Sequence, residues 1–138
     1  MPEFTLRPMK PDDAKFILSS WKRSWRVSPW AGTVRNDQVF AVVQSTIEGL
    51  VTRGAIFTVA VHPTTDRILG WSCTERLGDG TACVHYIYVK DAYVPLRIGD
   101  ALVEQAAGTK PGLYTHRYHQ VTDACPGWRH APEAARRK

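Results

Sequence analysis

Apolar residues alternate with polar ones at the start of the chain, recur at helical spacing through two long stretches, and then alternate again through three more segments. Phe4 to Pro8 reads as a first strand, with Phe4 and Leu6 facing one way. Pro11, Asp12 and Asp13 then signal a helix start, since proline fits the first turn and carboxylates suit the positive end of the helix dipole. Ala14, Ile17, Leu18, Trp21 and Trp25 follow at three- and four-residue steps and predict one buried helix face. Val27 to Arg35, broken by Pro29 and Gly32, reads as a loop. Asn36 or Asp37 caps a second helix whose inward stripe is Val39, Val43, Ile47, Leu50 and Val51, ended by Gly54.

Beyond Gly54 the period shifts to two. Ile56 to Val61 is apolar and rich in β-branched residues, His62 and Pro63 begin a turn, and Ile68 to Thr74 presents Leu69, Trp71 and Cys73 in alternation. Gly78, Asp79 and Gly80 make a hairpin into Ala82 to Val89, so strands two to four form an antiparallel meander. A third helix carries Ile98, Ala101, Leu102, Gln105 and Ala106 on one face until Gly108 and Pro111 stop it, and Leu113 to Tyr118 predicts a fifth strand. The segment 119–138 shows no regular element. The order strand, two helices, three strands, helix, strand predicts an α/β (α+β) domain with a mixed, mostly antiparallel sheet flanked by helices. The last crossover, from strand four to strand five, is expected to be right-handed.

A chain of 138 residues that is 43% hydrophobic suits a single domain with one sizeable core. No run approaches the roughly 18 apolar residues of a membrane span, and Met1 to Lys10 lacks the apolar block of a signal peptide, so the expected compartment is the cytoplasm. Cys73, Cys83 and Cys125 form an odd, sparse set that reads as reduced, buried thiols rather than a disulfide framework. A net charge of +5 favours anionic partners without choosing among them. No helix-turn-helix, ribonucleoprotein or zinc-finger pattern accompanies it, so nucleic acid is not the expected partner.

The segment Tyr86 to Ala106, YIYVKDAYVPLRIGDALVEQA, resembles the acetyl-coenzyme A signature of GCN5-related N-acetyltransferases (GNAT). There a strand ends in valine, here Val89, and a loop with a glycine-containing turn, here Arg97-Ile98-Gly99, leads into a helix. The element order is also similar to that family's over residues 3 to 118. The resemblance implies an acyl transfer from acetyl-CoA to a primary amine on a small molecule or protein. It further implies that the main chain of Ile87, Tyr88 and Val89 binds the pantetheine arm. Val94, Leu96, Arg97, Ile98, Gly99 and Asp100 would then wrap the pyrophosphate at the helix amino terminus, where unpaired N–H groups favour anions. Three residues depart from the pattern, the first being Val94, where the family usually has glutamine or arginine. Pro95 removes a donor, and Arg97 stands where the family has glycine, although a guanidinium can pair with phosphate directly.

By the same resemblance His85 is the candidate base, acting on the amine through water, as a neutral imidazole near pH 7 can. The alternative is a strand histidine satisfied by its neighbours. Tyr118 is the candidate acid for the departing thiolate, with Tyr114 a second tyrosine nearby. Trp25, Arg26, Trp30 and Arg35 become candidate walls of the acceptor pocket, or else a cover for the sheet. His116, His119, Cys125 and His130 are potential zinc ligands, but their spacing fits no finger and no metal is expected. The "YVK" and "YTHR" stretches also look like those of short phage-encoded proteins, which leaves a second expectation: a non-catalytic domain of this fold serving as an interaction or virion protein. A homodimer through an edge strand is compatible with either.

Overall fold

The computed structural model describes residues 4–26, 45, 48–52, 54–108, 110–115 and 119–131, with backbone alone at 22–26 and 119. Strand β1 (Thr5–Pro8) leads through a 3-10 turn at Pro11–Asp13 into helix α1 (Ala14–Arg26). Residues 48–52 are helical, and a meander of β2 (Ile56–Val61), β3 (Ile68–Arg76) and β4 (Ala82–Val89) follows. A 3-10 segment at Asp91–Leu96 precedes α2 (Ile98–Ala107), then β5 (Leu113–Tyr114), α3 (His119–Ala124) and β6 (Arg129–His130). The described strands form one sheet in chain order, antiparallel from β1 to β4 and parallel from β4 through β5 to β6. This is the mixed, mostly antiparallel sheet that the sequence predicts. No described helix is long and apolar enough to cross a membrane.

Each face of the sheet carries its own core. On one, Ile17 and Trp21 of α1 and Leu50 meet Phe57, Val59, Val61, Trp71, Cys73 and Tyr86. On the other, Ile98, Leu102 and Val103 of α2 and Val121 of α3 meet Ala60, Leu69, Val84, Ile87 and Val89. The first is aromatic: Trp21 stacks on Tyr86 with centroids 4.8 Å apart, and the fully buried Trp71 donates its indole N–H to Ser20 Oγ at 2.8 Å. That bond satisfies a polar atom which would otherwise be stranded in an apolar layer.

Periodicity placed the elements better than it placed individual side chains. Ala14 is exposed, and the inward position on α1 is taken instead by Ser20, whose hydroxyl also donates to the Phe16 carbonyl at 2.9 Å. On α2 the exposed Gln105 gives way to the buried Val103. Leu69 does not share a face with Trp71, because a register shift opposite Ala60 and Val61 inserts one extra residue and turns Leu69 to the other core. Among the described residues β5 covers Leu113–Tyr114, and 116–118 of the expected strand lie outside them; the carboxy-terminal segment contains α3 and β6 where no regular element was expected. Asn36, Asp37, Val39, Val43 and Ile47 of the predicted second helix lie outside the described residues.

Two glycines position the strands around β4. A Cβ on Gly70 would come 2.6 Å from the Tyr88 carbonyl oxygen, and one on Gly112 would come 2.2 Å from that of Ala82. Neither position accommodates a side chain while the neighbouring backbone stays where it is.

Candidate functional site

The site is built around an irregularity in β4. In the pairing with β3, Cys73 faces Tyr86 and Thr74 faces Val84, so His85 is the extra residue of a β-bulge. The bulge reverses the faces: Val84 joins the α2 core and Tyr86 the α1 core. It also marks where β5 leaves β4. Their register covers Cys83 with Leu113 and Val84 with Tyr114, and the last described main-chain bond between them runs from Thr115 N–H to the Val84 carbonyl at 3.1 Å.

The His85 ring fixes this junction. It is fully buried, with Nδ1 3.1 Å from Thr115 Oγ1 and Nε2 2.7 Å from Glu75 Oε1. Thr115 Oγ1 also lies 3.4 Å from the His85 carbonyl. A base working through water needs a ring nitrogen open to that water. Here both nitrogens face protein oxygens, so the contacts are those of the alternative reading, a strand histidine satisfied by its neighbours.

Past the junction, no described strand residue pairs with the outer edge of β4. Lys90 N–H donates to the Leu69 carbonyl at 2.9 Å, so Lys90 faces β3. Strand residues alternate their main-chain groups from edge to edge, which puts Tyr88 on the β3 side with Lys90 and turns Ile87 and Val89 to the opening. The opening is therefore served by Ile87 and Val89, not by the consecutive trio expected from the sequence. Tyr88 sends its ring to the other face, 6.2 Å from Phe16.

A cavity of about 270 Å³ occupies the opening, floored by Ile87 and Val89 and walled by Val94, Arg97, Gly99 and Asp100. On the far side stand Gln120, Asp123 and Ala124 of α3. The first turn of α2 faces this space with no side chain capping it, so the amide hydrogens of Gly99 and Asp100 are the donors available to an anion. Gly99 borders Ala124 and Ile87 closely: an added Cβ would sit 3.6 Å and 3.8 Å from them, in ordinary contact. Ile98 is fully buried in the core and Leu96 packs at its margin, so both support the wall rather than line it.

Arg97 takes a left-handed conformation with φ 60°, which explains why glycine suits this place better than any other residue. Its side chain is largely exposed and pairs with Asp100, Nε to Oδ2 at 2.8 Å, instead of plugging the cavity. Pro95 is exposed and is not part of the lining. The charge balance of the walls is less hospitable to an anion: Asp91, Asp100 and Asp123 stand against the single Arg97. Asp91, Asp100 and Asp123 are all exposed, so solvent screens much of their repulsion.

Gln120 is the residue that sequence reasoning missed. Its carboxamide accepts from Val89 N–H at 2.9 Å and donates to the Val89 carbonyl at 2.8 Å. Behind it Cys125 is buried, and burial, aided by the negative charge of Asp100, pushes its thiol up to about 12. Tyr114 is half-buried, its ring 5.1 Å from that of His130. Among the described residues no three His, Cys, Asp or Glu side chains gather where they could hold a metal ion. Tyr118, His116, Trp30, Arg35 and the side chains of Trp25, Arg26 and His119 lie outside the described residues.

Compared as a sequence, the chain matches no family model and no curated protein. Compared as a fold, it matches solved acetyltransferases. A putative acetyl transferase from Pyrococcus furiosus aligns with TM-score 0.59 and 22% identity over 75% of this chain and 72% of its own. The PaiA N-acetyltransferase of Thermoplasma acidophilum, solved in complex with coenzyme A, aligns with TM-score 0.55 and 16% identity over 75% and 69%. An acetyltransferase of the GNAT family from Staphylococcus aureus Mu50 aligns with TM-score 0.52 and 16% identity, and the chain spans 62% of its length. The fold is the GNAT fold.

Proposed function

We propose that the chain binds an acyl-coenzyme A along the open edge of β4 and transfers its acyl group, most simply acetyl, to a primary amine. The observation that carries this reading is the meeting of two kinds of main-chain group in one cavity: the β4 edge at Ile87 and Val89, whose N–H Gln120 holds in the free protein, and the first turn of α2 at Gly99 and Asp100. An extended arm with amide groups can add to such an edge as a strand does, while a diphosphate takes the helix amides. The likeness to a structure holding coenzyme A is consistent with this pairing.

In the reaction the amine nitrogen attacks the thioester carbon, the carbon–sulfur bond breaks, the sulfur leaves as thiolate and takes up a proton, and the amine loses one. His85 acts here as a positioning residue, because it holds the bulge that separates β4 from β5. Tyr118 keeps its place as the candidate proton source for the thiolate, on the family resemblance. The three carboxylates around the cavity weaken the hold on a diphosphate without blocking it, since each is exposed and screened.

Titration calorimetry with acetyl-CoA tests the reading. Saturable binding in the micromolar range is expected, and a folded protein that gives no heat with the coenzyme would end it.

A further inference from the structure

The two bonds from Gln120 to Val89 reproduce what a facing strand residue would supply through its own N–H and C=O. They complete the β4 edge beyond the last described β5 pair, Val84 with Tyr114. Gln120 reaches this position from α3, a helix held in place by the fully buried Val121 and by Cys125 in the α2 core. Its carboxamide therefore stands in the slot rather than beside it.

We propose that Gln120 is a built-in competitor for the amide arm of the ligand, closing the Val89 slot in the free protein and swinging out when the arm lies along β4. The inference rests on the coenzyme reading above and adds to it a residue that sets affinity. Whatever pairs with Val89 must first release both hydrogen bonds. Removing that competition should tighten binding of an arm-bearing ligand by about tenfold, or ~1.4 kcal/mol. A ligand that lacks the arm and touches only the start of α2 gains nothing.

The experiment compares wild type with Gln120→Ala and Gln120→Met, using coenzyme A and ADP as probes and amide hydrogen exchange at Val89 in the ligand-free proteins. Alanine makes neither bond, and methionine makes neither while keeping the length of the side chain. Expected are faster Val89 exchange in both variants, about tenfold tighter coenzyme A binding, and unchanged ADP binding. Coenzyme A binding that is equal in all three proteins would overturn the proposal and leave the coenzyme reading intact. Weaker binding by the variants would also overturn it, making Gln120 a contact of the bound ligand. Failure of both probes with every protein would remove the coenzyme reading, and this inference with it.

Discussion

Nδ1 of His85 lies 3.1 Å from Oγ1 of Thr115, and through this contact the bulge of β4 is tied to the residue at which β5 parts from it. Both side chains are buried, so the contact is shielded from water. Thr115→Val keeps the shape and removes the hydroxyl. It is expected to cost about 0.5–1.5 kcal/mol, the usual net worth of one hydrogen bond, read as a lower denaturant midpoint at unchanged slope. A midpoint equal to wild type would show that the contact does not hold the junction.

A second prediction concerns acid. Arg7 holds the Asp13 carboxyl below the usual carboxylate range, mainly by hydrogen bonding, with Nη1 2.8 Å from Oδ2, and against burial, which pushes the other way. A carboxylate depressed in the folded state contributes its stability above its unfolded value, about 3.9, and loses it as pH falls from there toward the folded value. Stability should therefore drop below about pH 4, and Arg7→Met should flatten that part of the profile. At pH 7 the same substitution leaves the nearly buried Asp13 with only the Lys10 N–H, at a cost of about 1–3 kcal/mol. Unfolding curves measured at pH 3, 4 and 7 check both statements; parallel acid profiles would refute the assignment.

Gly99 separates fold from binding. Alanine fits there in ordinary contact with Ala124 and Ile87, whereas a larger side chain must enter the cavity. Gly99→Ala should retain acetyl-CoA binding within about threefold, and Gly99→Leu should lose it while keeping a cooperative thermal transition. If the leucine variant binds normally, the coenzyme lies elsewhere.

The carboxylates make a salt-dependent prediction. Asp123 lines the cavity and is exposed, so its effect on a phosphate is a screened Coulomb repulsion of the order of 1 kcal/mol or less. Asp123→Asn should tighten coenzyme binding by about two- to fivefold at low ionic strength, and the gain should vanish at high salt. An effect that salt leaves untouched would mean a structural role instead.

Much of the frame was legible in the sequence because its punctuation is strong. The strands Ile56–Val61 and Ala82–Val89 have the bounds that their glycines, prolines and β-branched residues imply, and Gly108 ends α2 with positive φ as a helix-stopping glycine does. The bulge at His85 was not legible, since an extra residue is a property of the pairing between two strands and leaves no mark on either alone. Helix α3 escaped for a different reason: among the described side chains of HQVTDA only Val121 is fully buried, and six residues are too few for a period to show. With α3 unseen, Gln120 could not be placed against Val89.

Cys125 stands one residue beyond the cavity wall at Ala124, yet it is buried and its thiol is pushed up to about 12. Nucleophilic attack by sulfur requires the thiolate, and at neutral pH this thiol keeps its proton. A thioester bound next door would thus meet no rival sulfur able to capture its acyl group, and alkylating reagents should react with Cys125 only as fast as α3 lifts away. The rate of that labelling is a clock for the motion of the helix that carries Gln120.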